Sequence, residues 1–130
     1  MTGVDTNVLL RFLVQDDLEQ LQRAARFITK ECTTDSPGLI NHIVLCELFW
    51  VLDSGYGYPR EKVSLAVDLI MHTPQLRVAE REDVSAAMAE YQAGADFADA
   101  LIAIVNQRLG CEHTVTFDRR AVRRARFRAL

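Results

Sequence analysis

The chain has 130 residues, 49% of them hydrophobic and 25% charged, with a formal net charge of −3. That composition excludes the disordered, collagen-like and disulfide-stapled classes, and the length permits a core without a structural metal. A single domain over residues 1–130 is expected.

A short strand ending at Val4 runs into Asp5, and the apolar segment NVLLRFLV then reads as a helix. From Asp16 as N-cap, Leu18, Leu21, Ala25 and Ile28 recur at helical spacing through Lys30. Ser36, Pro37 and Gly38 punctuate the chain before a short strand at Leu39 and Ile40. The nearly continuous apolar run from Asn41 to Leu52 suits a buried helix, broken at Gly55 to Gly57. Pro59 fits a first helical turn, and Val63, Ala66, Val67 and Ile70 mark the helix it opens.

After Pro74, Leu76 to Ala79 alternates as a strand. Val84, Ala87, Met88 and Tyr91 form the face of a further helix that Gly94 ends. DFADALIAIVNQRL, from Asp96 to Leu109, is apolar on almost every side and predicts a buried helix stopped by Gly110. Thr114 to Phe117 reads as a strand, and the Arg-rich remainder as a helix or tail. This alternation predicts a three-layer α/β/α sandwich with a mostly parallel central sheet of four or five strands.

Charge is unevenly distributed. Residues 1–118 hold 9 Lys or Arg against 18 Asp or Glu, whereas residues 119–130 hold six Arg and no acid. Such a basic end suits phosphate contacts or a solvated helix face. No apolar run approaches the roughly 20 residues that span a bilayer, and Asp5 interrupts the N-terminus where a signal peptide is uncharged, so a cytoplasmic location is expected. Cys32, Cys46 and Cys111 lack metal or disulfide spacing and read as small buried hydrophobes.

Four acids stand out. Asp5 follows the first strand, at the carboxyl edge where open α/β sheets bind ligands, although it also suits a helix cap. Glu47 lies within VLCELFWVL, where its carboxylate needs either a narrow solvent strip or a partner. Asp96 and Asp99 are three apart at a helix start; Asp96 suits the cap, which leaves Asp99 as the site residue. Asp118 ends a strand, where it serves a turn or a site.

Carboxylates brought together raise one another's pKa unless a cation compensates, and hard oxygen donors select Mg²⁺ or Mn²⁺. His42, His72 and His113 are not placed to complete a zinc site. A nucleophile elbow and a phosphate-binding glycine loop are both missing.

GVDTNVLLRFL, the apolar helix carrying Glu47, GADFADALIAIVNQRLG and VTFDRR follow one another in the order of the signature segments of PIN-domain ribonucleases. The chain resembles that family, specifically the VapC-like toxins of toxin and antitoxin pairs. Thr2 departs from the pattern, since relatives usually carry an apolar residue there. The resemblance implies that Asp5, Glu47, Asp99 and Asp118 are the catalytic acids, with Asp5 and Asp99 the firmest metal ligands and Glu47 and Asp118 completing the shell. Asp96, Asn7 and Thr116 match supporting positions.

The expected activity is Mg²⁺-dependent hydrolysis of RNA phosphodiesters, with Arg11, Arg119 and Arg120 attracting the RNA. A small antitoxin and a homodimer are the implied partners. A non-catalytic RNA-binding or interaction module is the alternative. A phosphatase with a strand-borne Asp fits less well, because the lysines, Lys30 and Lys62, lie on surface-helix candidates.

Overall fold

The computed structural model describes residues 1–124 and 126–130. They form two compact units, Met1–Ala79 and Glu80–Leu130.

The first unit alternates β1 (Thr2–Gly3), α1 (Thr6–Leu13), α2 (Leu18–Arg26), β2 (Gly38–Ile40), α3 (His42–Trp50), α4 (Arg60–Met71) and β3 (Leu76–Val78). The strands pair in parallel in the order β1-β2-β3, with Thr2 opposite Gly38 and Ile40 opposite Val78. Gly38 is required at the centre, because an added Cβ would sit 2.9 Å from Val4 Cγ2 and 3.0 Å from Leu76 Cδ2. Val4, Leu9, Ile28, Ile40, Leu45 and Val67 are buried in its core.

Local chemistry sets the helix starts. Asn41 Oδ1 accepts the Val44 N–H at 3.0 Å to cap α3. Asp17, rather than the expected Asp16, caps α2 by accepting from Gln20 N at 3.0 Å. Asp16 is drawn away by Arg11, whose Nη1 donates to it at 2.9 Å, and by the Tyr56 hydroxyl at 3.1 Å. A π-helical turn over Phe27–Glu31 continues α2, and another over Val51–Gly55 continues α3.

The second unit contains α5 (Arg81–Gln92), α6 (Phe97–Arg108), β4 (Thr114–Thr116), α7 (Arg119–Val122) and β5 (Phe127–Ala129). β4 and β5 pair in parallel, Thr114 opposite Phe127. Gly94 and Gly110 end α5 and α6 with φ of 107° and 103°, the left-handed region that glycine enters without a Cβ penalty. Phe97, Ala100, Leu101, Ala103 and Ile104 are buried, as expected of α6, although Ile102 is exposed.

The α/β class and parallel pairing are those expected; the five strands among the described residues form one ladder of three and one of two, where a single sheet of four or five was expected. Three local expectations are corrected. The Arg-rich end is a one-turn helix followed by β5, because Phe127–Ala129 finds a ladder on β4. Cys111 is exposed and Cys46 half-buried, so only Cys32 is the buried hydrophobe predicted. Finally, α3 is not buried all round: Leu45, Leu48 and Phe49 face inward while Ile43 and Trp50 are 77% and 67% exposed. No helix among the described residues is long and apolar enough to cross a membrane.

Candidate functional site

In the first unit, Asp5 sits at the junction of β1 and α1. Its backbone is extended, and its Oδ1 accepts the Thr6 N–H at 2.8 Å, leaving Oδ2 without a partner among the described residues. The cap role and an outward-facing carboxylate oxygen thus coexist in one side chain. Asn7 is exposed on the first turn of α1.

Thr6, between these two, escaped the sequence reading. It is only 4% exposed, yet its Oγ1 has no hydrogen-bond partner among the described residues. Its position between two polar residues in DTN was the available signal, since a buried hydroxyl normally finds a partner.

Glu47 is exposed, on the same α3 strip as Ile43 and Trp50. Spacings of four and three residues put all three on one helix face, so the solvent strip, and not a buried ion pair, explains how this carboxylate survives in an apolar sequence. Arg11 is engaged by Asp16 and by Gln20, whose Oε1 accepts from Nε at 2.6 Å. The same network acts on Asp16: partial desolvation pushes its pKa up, but the Tyr56 hydroxyl and the Arg11 guanidinium outweigh it and the net shift is downward.

The second unit brings Asp96 and Asp118 within electrostatic reach of Asp99. Asp96 caps α6, its Oδ1 accepting the Asp99 N–H at 2.9 Å. Asp118 caps α7, its Oδ1 accepting the Arg120 N–H at 2.8 Å, while its own N–H donates to Thr116 Oγ1 at 3.0 Å. Thr116 therefore positions Asp118. Asp99 alone of the three has a carboxylate with no hydrogen bond or ion pair among the described residues. Half-buried in the first turn of α6, it has its pKa raised, first by desolvation, then by the charges of Asp96 and Asp118.

Arg119 and Arg120 are exposed on α7. Arg126 differs from them, because its guanidinium is bonded to Glu90 and, through Nε, to Gln107 at 2.8 Å, tying the residue just before β5 to both α5 and α6.

Among the described residues no three His, Cys, Asp or Glu side chains are grouped tightly enough to hold an ion. The donor chemistry nevertheless fits a hard divalent cation. Every candidate donor is a carboxylate, hydroxyl or amide oxygen, and Asp99 is a half-buried anion among like charges that a cation would relieve.

The PIN domain family model matches residues 4–127, and the chain belongs to that family. It is also similar to a VapC ribonuclease from Aquifex aeolicus (strain VF5). The two are 26% identical over 121 residues, which cover 92% of this chain and 89% of the relative. The match takes in Asp5, Glu47, Asp99 and Asp118 along with the segments that surround them.

Proposed function

We propose that this chain is a metal-dependent ribonuclease, the toxin component of a toxin and antitoxin pair, with residues 1–130 working as one domain. The observation that carries the reading is Asp99. In a PIN-family chain it is a half-buried carboxylate with no hydrogen-bonding partner among the described residues, held beside two further acids. Asp96 and Asp118 each give one oxygen to a helix cap, whereas Asp99 gives neither.

Asp5 and Asp99 would be the residues that hold Mg²⁺ or Mn²⁺, and Glu47 and Asp118 would complete the set. A bound cation of this kind supplies a water of lowered pKa and offsets charge on the phosphate. Glu47 or Asp118 would orient the attacking water and take its proton, and the same carboxyl could return that proton to the departing oxygen. Asp96 holds the Asp99 backbone in place, and Thr116 does the same for Asp118. Asn7 lies beside Asp5 to contact substrate. Arg119 and Arg120, with Arg11, draw in the RNA backbone that the acids alone would repel.

A small antitoxin protein that covers the acids, a homodimer and a cytoplasmic setting complete the reading. They rest on the similarity to a VapC ribonuclease.

The test is incubation of purified, partner-free protein with bacterial total RNA in Mg²⁺, in Mn²⁺ and in excess chelator. Discrete fragments that require the cation support the reading. Intact RNA under all three conditions, from protein shown to be folded and to bind RNA, leaves the non-catalytic RNA-binding module as the better account.

A further inference from the structure

The first unit contains a cleft of about 830 Å³ between α1 and α2, reaching the β1 strand. Its walls include Asn7, Arg11, Gln20, Arg23, Arg26 and Phe27, with Glu31 as the one acid. Residues 1–79 hold 7 Lys or Arg against 10 Asp or Glu. Three of those cations therefore line a single cleft in an otherwise acidic unit, which selects an anionic occupant.

The three arginines are not equivalent. Arg11 is occupied by Asp16 and Gln20. Arg23 and Arg26 are exposed and form no ion pair or side-chain hydrogen bond among the described residues. They are three apart on α2, so both guanidinium forks lie near one face, and Phe27 follows four residues after Arg23 on that face. Phe27 is half-buried and lines the cleft. Guanidinium forks match phosphate oxygens, and an aromatic face accepts any base by stacking.

We propose that this cleft binds a stretch of single-stranded RNA flanking the cut site, with Arg23 and Arg26 on successive backbone phosphates and a base stacked on Phe27. The proposal rests on the ribonuclease reading and deepens it. Val4 and Asn7, on either side of Asp5 in the chain, both line the cleft. Arg23 and Arg26 carried no signal in the sequence beyond their helical spacing, since α2 as a whole reads as an ordinary amphipathic surface helix.

The test uses full-length protein in chelator, so that binding is read without cleavage, and a fluorescein-labelled mixed-sequence oligoribonucleotide of about 12 nucleotides. Each phosphate contact to a single strand contributes about 0.7 to the slope of log affinity against log salt, so Arg23→Ala with Arg26→Ala lowers that slope by about 1.4. Phe27→Leu weakens binding about tenfold with the slope unchanged, because stacking is lost and no phosphate contact is. Arg23→Lys with Arg26→Lys keeps the slope and shows that charge at these positions is what the double Ala variant lost.

Cleavage of total RNA in Mg²⁺ is measured alongside. A double Ala variant that keeps the wild-type affinity and slope, while the wild type cleaves, overturns the cleft proposal, leaves the ribonuclease standing and makes an acidic peptide the better occupant. Wild-type protein that neither binds nor cleaves RNA overturns both.

Discussion

The Asp96 carboxylate accepts the backbone N–H of Asp99 at 2.9 Å, so one acid fixes the helix turn from which the other projects. Asp96 therefore acts on Asp99 twice, by holding its backbone and by raising its pKa through charge. Two substitutions separate these effects. Asp96→Ala removes the cap and costs about 1 kcal/mol in urea unfolding. Asp96→Asn keeps a capping oxygen, leaves stability within about 0.5 kcal/mol and lowers the Asp99 pKa, read by NMR titration of its carboxyl. An unchanged Asp99 titration in both variants would remove Asp96 from its electrostatic surroundings.

The raised pKa of Asp99 gives stability a pH dependence of definite sign. The folded state holds this proton more tightly than the unfolded chain, so the favourable contribution is complete below the unfolded pKa and is lost as pH rises through the folded one. Asp99→Asn is therefore more stable than the wild type at neutral pH. The gain is under about 1 kcal/mol, since the group is only half-buried and solvent screens it. It disappears below the ordinary carboxylate range. Thermal unfolding of both proteins between about pH 3 and pH 8 measures it; a gain that grows with acidity contradicts the assignment.

Adding Mg²⁺ reverses that ranking. A ligand bound only by the folded state stabilises it by about 2.7 kcal/mol at 100 times its dissociation constant. The wild type gains thermal stability on titration and Asp99→Asn gains little, so the two curves cross. Parallel shifts of equal size would place the cation elsewhere on the protein.

Arg108 Nε donates to Asp83 Oδ2 at 2.7 Å, joining the last turn of α6 to the first turn of α5. Asp83 is 8% exposed, so removing its partner leaves a buried carboxylate unpaired. Arg108→Ala costs about 1.5–3 kcal/mol in chemical denaturation, and Arg108→Lys recovers part of it. A loss within error would show that water replaces the guanidinium.

Much of the local order was legible because it is written in short-range chemistry. Asp96 was read as a cap from its spacing to Asp99, and Gly94 and Gly110 as helix stops, and the structure agrees. The strands read at Leu76 to Ala79 and Thr114 to Phe117 are present, each one residue shorter, as Leu76–Val78 and Thr114–Thr116. What failed depends on contacts made across the sequence. The sequence points to Asp16 as the cap of α2, but Arg11 and Tyr56, 5 and 40 residues away, engage it and Asp17 takes the role. Glu47 needed a solvent strip that composition could not locate, because Ile43 and Trp50 are apolar and exposed. Arg126 looked like its exposed neighbours until Glu90 and Gln107 engaged it.

The most direct test of the central claim is mapping of new RNA 5′ ends in bacterial cells after induction of the wild type or of Asp99→Asn, with equal soluble protein confirmed. Cells present candidate RNAs in their folded forms, and the substitution changes a carboxylate to an amide of nearly the same size. The account predicts a few sharp cleavage sites with the wild type and none with Asp99→Asn. The same sites in both maps, from two folded proteins, would contradict the assignment of Asp99 to the catalytic centre.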